Sequence, residues 1–439
     1  MISESARHHR VWRLAAPNIL ANLTIPLLGA VDAAVIGHMG AAEIGAVTVG
    51  ATVFSFVYWG FSFLRMGTTG FTAQAHGACD NAELLAVFGR AGLLGVGFGI
   101  MLVALQWPLI EAALWLIAPS DAVTPLTRDY LVMRIWAAPA ALVNLAVLGW
   151  LMGRQRMVAA LMLQLLINGA NIGLDVALAV WLGMGVAGVG LATAIAQVIG
   201  LIAGVWVVAR EARAIRAAWP WPMILDWHRL VAMMLISRDI FIRTLCITGA
   251  FALFTAIGAR FGDVILAANG VLMLLQAFLA YGLDGFAHAA EALVGQAVGA
   301  RDRRGFSAAV RISTFWAALV AIGYGVTYWL LGPLFVDLIT SVPEVRATAR
   351  EYLPWAVISP LVSIWSYQLD GIFIGATRGR AMRNAAIMAL ATYLVALIIL
   401  VPSWQNHGLW LAIMVLMVAR AASLGAHYPR LAREVAAGT

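Results

Sequence analysis

Residues 74–80 read QAHGACD, and residues 296–302 read QAVGARD. The separation of Gln74 from Gln296 is 222 residues. The same shift carries Gly40 onto Gly262, Ala46 onto Ala268, Tyr130-Leu131 onto Tyr352-Leu353 and Gly153 onto Gly375. One such match is noise, but a constant offset over four separate segments marks a duplication. The chain consists of two halves built to one plan.

Composition says what each half contains. Of 439 residues, 63% are hydrophobic and 11% charged, whereas a soluble domain carries about 25% charged residues. A run of about 20 apolar residues spans a bilayer. Twelve such runs follow one another, at about 14–37, 44–75, 88–118, 128–153, 157–182, 186–209, 240–260, 265–298, 308–338, 350–376, 384–402 and 406–424. Backbone in lipid must satisfy its own hydrogen bonds, and runs this long and continuous do so as helices. Two boundaries rest on turn residues, Gly183-Met184-Gly185 and the stretch from Pro402 to Gly408, and both predict tight hairpins.

Each half thus holds six spans, so both enter the membrane the same way round. The predicted fold is an all-α integral membrane protein of twelve helices, in two six-helix lobes related by a pseudo-twofold axis along the membrane normal. Parallel repeats of this kind occur in transporters, and two such lobes can rock about a cavity between them. The expected lobes are 1–210 and 240–439. The joining segment 211–239 contains RAAWPWPMILDWHRL, which reads as an amphipathic piece at the cytoplasmic interface.

The chain has no lysine, and all 28 cations are arginines. With the N-terminus inside, 22 of the 28 are cytoplasmic, Arg243 and Arg420 counted among them. The positive-inside rule then places both termini in the cytoplasm, and the expected location is the bacterial inner membrane. Anionic headgroups account for the net charge of +7 without a nucleic-acid partner. The basic start does not read as a signal peptide, because the apolar run behind it is too long and flows into further spans. Cys79 and Cys246 match no metal spacing and read as packing residues. There is no metal-spaced His/Asp/Glu cluster, nucleophile elbow or phosphate loop. A non-enzymatic monomer in the bilayer, with no cofactor, is expected.

Ionisable residues inside spans are costly and mark function by default. In LINGANIGLD (166–175), Asn168, Asn171 and Asp175 share one helix face. Asp175 is the one formal charge between Met157 and Ala209. Interhelical glue is the bland reading. Asp32, the one charged residue of the first span, favours a functional one, as do Pro17 and Pro26, which bend that helix. Two carboxylates in one apolar bundle do not readily both ionise; a shared proton or a bound sodium relieves the repulsion. The repeat is an internal control: the 222-residue shift turns Asp32, Asn168, Asn171 and Asp175 into Phe254, Leu390, Tyr393 and Leu397. Glue required by the fold would recur in both halves.

Arg65 sits mid-span in FSFLRMGTTG (61–70), and Asp284, His288 and Glu291 share a face of the eighth span. They read either as a gating bridge between the lobes or as local pairing and snorkelling. Asp370 in WSYQLDGIFIGATRG is a candidate second acid for substrate or protons. His38 and His76 read as interfacial.

LLGAVDAAVIGHMGAAEIGA (27–46), LGMGVAGVGLATAIAQ (182–197) behind the Asn-Asp helix, and LDGIFIGATRGRAMRN (369–384) resemble multidrug and toxic compound extrusion (MATE) transporters of the DinF-like branch, over residues from about 12 to 425. The resemblance implies efflux of small amphipathic, often cationic, drug-like compounds in exchange for protons or, alternatively, sodium. It implies that Asp32, Asn171, Asp175 and Thr193 form a first-lobe cation site and that the first helix bends at Pro17. Leu28 stands where the family often has tyrosine, and the NorM-like branch's acid in the seventh span has no counterpart here. That branch's tenth-span acid lies about a turn before Asp370. A lipid or lipid-linked-precursor flippase of the same superfamily is the alternative, for which fourteen spans and a more cationic cavity are expected.

Overall fold

The computed structural model describes residues 4–37, 40–215 and 217–437, the side chains of 25–36, 436 and 437 excepted. In chain order its helices are α1 (Glu4–Ile36), α2 (Ala41–Gly60), α3 (Phe63–Gly77), α4 (Asn81–Ala104), α5 (Gln106–Ile117), α6 (Val123–Ile135), α7 (Ala138–Gly153) and α8 (Met157–Asp175). There follow α9 (Gly185–Ile215), the single turn α10 (Trp221–Ile224), α11 (Trp227–Gly258), α12 (Asp263–Gly299), α13 (Arg303–Ile339), α14 (Pro343–Gly375) and α15 (Gly379–Ala437). Among the described residues there is no strand.

Nine stretches are long and apolar enough to cross a bilayer among the described residues, and α6 with α7, bent by 55°, makes a tenth. One of the nine, Gly379–Val435, is two rods: at Gln405 the backbone leaves helical space (φ 47°, ψ −124°). The 33-residue α1 completes the twelve. Both expected hairpins are present. Gly183 and Gly185 take left-handed φ of 65° and 57°, and Gly408 sits against the Leu400 carbonyl where a Cβ would clash.

The duplication is written in the backbone as well. Cys79 and Arg301 take φ of 55° and 54°, Gln155 and Thr377 take 63° and 54°, and Gly183 and Gln405 take 65° and 47°, each pair 222 apart. Asp80 and Asp302 cap α4 and α13 alike, each accepting from the amide three residues on, Glu83 at 2.8 Å and Gly305 at 2.9 Å. Cys79, expected to pack, is instead exposed at one of these turns, because the helix cap needs its backbone and not its side chain.

By packing the chain divides into Leu20–Met234, hereafter the first lobe, and Met1–Ile19 with Leu235–Thr439, the second. Each is organised around one close helix crossing. In the first lobe α7 crosses α3 at Gly149 and Gly153, where a Cβ would strike the carbonyls of Arg65 and Thr69. In the second, α14 crosses α12 at Gly371 and Gly375, facing the carbonyls of Ala287 and Glu291. All four glycines and all four carbonyls correspond under the 222-residue shift. A glycine pair four residues apart lets helices approach to backbone contact, which is how apolar helices associate in lipid.

Gly375→Val should therefore cost at least the ~1–3 kcal/mol typical of overpacking, since the obstacle is backbone that cannot rotate away. Gly97→Val, at a position where a Cβ meets nothing within 4 Å, should leave the protein as it is. Melting temperature and monodispersity in detergent measure both. Equal melting for the two variants would mean that the crossing does not hold the lobe.

Candidate functional site

Helix α8 carries the first-lobe candidates on one face. The Asn168 Nδ2 donates to Thr24 Oγ1 of α1 at 2.9 Å and its Oδ1 accepts from Gln164 at 2.9 Å. Asn171 Nδ2 donates to Thr193 Oγ1 of α9 at 3.3 Å, and that hydroxyl donates onward to the Val189 carbonyl at 3.1 Å. The amides thus tie α8 to α1 on one side and to α9 on the other. Asp175 closes α8 with 0% of its surface exposed. From Val176 to Trp181 the helix widens into π geometry. Such bulges are rare and frequent at functional sites; nothing in the sequence announced this one.

The side chains of Asp32 and Pro26, expected beside Asp175, are not among those described, and His38 lies outside the described residues. Pro17 is half-buried within α1, which continues as helix through it. Having no N–H, Pro17 leaves the Arg13 carbonyl without its usual helical partner. The local weakness that a bend requires is therefore present at Pro17.

The second lobe holds a different constellation. Asp370 of α14 is gripped between Arg243 of α11 and Arg420 of α15, all three buried. Both arginines, counted above with the cytoplasmic set, are interior ion-pair partners. Without them 20 of 28 arginines remain on the cytoplasmic side of the reading. Asp284 and Glu291 of α12, with Tyr367 of α14, act electrostatically on Arg243, and Asp284 acts on Arg420 as well. Glu291 is wholly buried. Shifted by 222, these charges become Ala21, Val198, Ser62, Thr69 and Leu148. Each lobe carries a polar cluster that its twin lacks.

The signal for the arginines was in the sequence: Arg243 and Arg420 fall inside the seventh and twelfth apolar runs. The charge asymmetry of the loops drew them to the wrong side of the count. Arg65 lies in the first lobe on α3, its Nη1 3.7 Å from the Met152 sulfur, whereas Asp284 and Glu291 belong to the second lobe.

Removing one partner of a buried ion pair strands the other charge and costs about 3–5 kcal/mol. Asp370→Asn should accordingly melt well below the wild type or fail to stay monodisperse, since two guanidinium groups would lose their carboxylate. Asp370→Glu should retain most of the stability. Wild-type melting of Asp370→Asn would show that the pair does not hold α11, α14 and α15 together.

The MatE family model matches residues 17–177 and 240–402. DNA damage-inducible protein F of Escherichia coli is 42% identical over 428 residues, covering 96% of this chain and 92% of that one. The mouse multidrug and toxin extrusion protein 1 is 24% identical over 401 residues, 88% of this chain and 67% of the relative. A crystal structure of a MATE protein in its bent conformation superposes with a TM-score of 0.90 at 18% identity, covering 98% of this chain and 96% of that one. The two segments matched by the family model begin in the first and seventh spans and so follow the duplication. The chain belongs to the MatE family: it is a multi-pass membrane protein of the twelve-helix multidrug efflux transporters, and not an enzyme.

Proposed function

We propose that the protein is a secondary active antiporter of the bacterial inner membrane, with both termini cytoplasmic, that exports small amphipathic, often cationic, compounds in exchange for protons by rocker-switch alternating access. The observation that carries the reading is the wholly buried Asp175 on the same face as the Asn168–Thr24 hydrogen bond. The first and fifth spans run in the same direction. Asp32 lies eight residues beyond Thr24, and Asp175 seven beyond Asn168. At 1.5 Å rise per residue, two parallel helices joined at that bond bring both acids to about one level.

A shared proton on this pair, assisted by Asn168, Asn171 and Thr193, removes the repulsion between two carboxylates in an apolar bundle. Protonation then favours a bend of α1 at Pro17 or Pro26, and deprotonation favours the conformer that holds the substrate. Exchange follows because the two ligands prefer different states. The oxygens of Asn168, Thr24 and Thr193 are already engaged in hydrogen bonds, which favours a proton over a sodium ion needing a shell of oxygens. Arg65, Asp284 and Glu291 belong to gating in this account, and Asp370 to the framework of the second lobe.

The test is transport of tetraphenylphosphonium in proteoliposomes with proton and sodium gradients imposed one at a time. Wild-type protein should move the cation on a proton gradient alone. Asp175→Asn and Asp32→Asn should remain folded, since the amide is near-isosteric, and lose that transport. Wild-type rates in Asp175→Asn would place coupling elsewhere, and flux on sodium alone would make sodium the coupling ion.

A further inference from the structure

Among the described residues, the duplication pairs a helix face that is covered in the first lobe with one that carries an open groove in the second. In the first lobe the face formed by α4 and α7 is roofed by the joining segment. Trp219 packs on Phe88 with ring centroids 6.3 Å apart, Ile224 fills the space beside Gly89, and Met233 is buried with Ala91 and Ala146. Shifting by 222 carries Phe88 to Val310 and Ala146 to Gln368, on α13 and α14 of the second lobe. There no equivalent segment covers the face among the described residues, and a cavity of about 430 Å³ opens between α13, α14 and α15.

Its lining is apolar, with Val310, Trp365, Ile372 and Tyr428 around it, and Gln368 forms part of its wall. Only 2% of Gln368 is exposed, and neither its Nε2 nor its Oε1 finds a hydrogen-bond partner among the described residues. A buried amide next to hydrocarbon is costly unless something bonds to it. Trp365, half exposed at the cavity mouth, shows that the groove opens outward toward lipid. Gln368 lies seven residues before the end of α14 at Gly375, or about 10 Å along the axis. The headgroup layer on each side of the hydrocarbon is on the order of 5–8 Å, so the amide sits near the level of the acyl ester carbonyls. The same end of these helices carries the exposed Arg303, Arg304, Arg430 and Arg433.

We propose that this groove is a binding site for a diacyl phospholipid with an anionic headgroup. One acyl chain takes the apolar cavity, an ester carbonyl accepts from Gln368 Nε2, and the phosphate meets the arginine-rich end. Because the site lies on α13–α15, lipid occupancy does not depend on which ion the first lobe uses.

Photo-crosslinking tests it on the full chain in nanodiscs containing phosphatidylglycerol or phosphatidylcholine that bears a diazirine in one acyl chain, with adducts mapped by mass spectrometry. Phosphatidylglycerol adducts should concentrate on the peptides around Val310 and Trp365–Ile372 and exceed those of phosphatidylcholine. Gly425 lines the cavity at a point where an added Cβ meets nothing within 4 Å. Gly425→Leu should therefore fill the groove without disturbing the fold and lose these adducts, while adducts on other lipid-facing helices persist. Replacing the exposed Arg303 and Arg304 together by glutamine should keep the acyl adducts but lose the preference between headgroups, whereas Gln368→Leu should weaken labelling by both lipids alike. Unchanged adducts in Gly425→Leu, equal labelling by the two lipids, or displacement of the label by excess tetraphenylphosphonium would each overturn the proposal, the last by making the groove a substrate site.

Discussion

The fold depends on two helix crossings in which glycine meets carbonyl. Lipid gives apolar helices no hydrophobic reason to associate, so close packing has to supply it. Gly149 and Gly153 bring α7 onto the α3 backbone, and Gly371 and Gly375 bring α14 onto that of α12. These contacts position the candidate side chains. The carbonyl under Gly149 belongs to Arg65, and the carbonyl under Gly375 belongs to Glu291. An intramembrane charge on a helix fixed by backbone contact cannot swing away, so its neighbourhood is set by the crossing.

On that shared frame the two lobes carry different chemistry. The first holds a thinly charged face, with a wholly buried Asp175 beside two amides and a hydroxyl. The second holds a dense cluster with Asp370 clasped by Arg243 and Arg420. Two guanidinium groups beside one carboxylate tie α11, α14 and α15 to a common point, and removing any one of the three strands the others in a buried setting. On the strength of this difference our proposal gives coupling to the first lobe and a framework role to the second. Duplication made it possible: each copy preserved the glycine crossings and the capped turns while its polar residues diverged.

Much of this was legible in the sequence, for identifiable reasons. Span length, the 222-residue offset and the two hairpins follow from backbone constraints that hold wherever the residues occur. The pairing of Asn171 with Thr193 followed from the family resemblance. The clasp on Asp370 was missed because Arg243 and Arg420 lie near span ends, where a loop-charge count treats arginine as cytoplasmic. Partners 127 and 50 residues away from Asp370 leave no local pattern. The π turn after Asp175 was missed because it depends on how the end of α8 packs. The exposure of Cys79 was missed because a small apolar residue at a left-handed turn looks the same in sequence as one in a core.

The central claim is that substrate and proton compete through Asp175. It is tested most directly by adding tetraphenylphosphonium to the purified protein in weakly buffered detergent solution and following a pH indicator. Wild-type protein should release protons as the cation binds. Asp175→Asn, shown by equilibrium dialysis to bind the same cation, should release none. Binding without proton release in the wild type, or undiminished release from Asp175→Asn, would contradict the account.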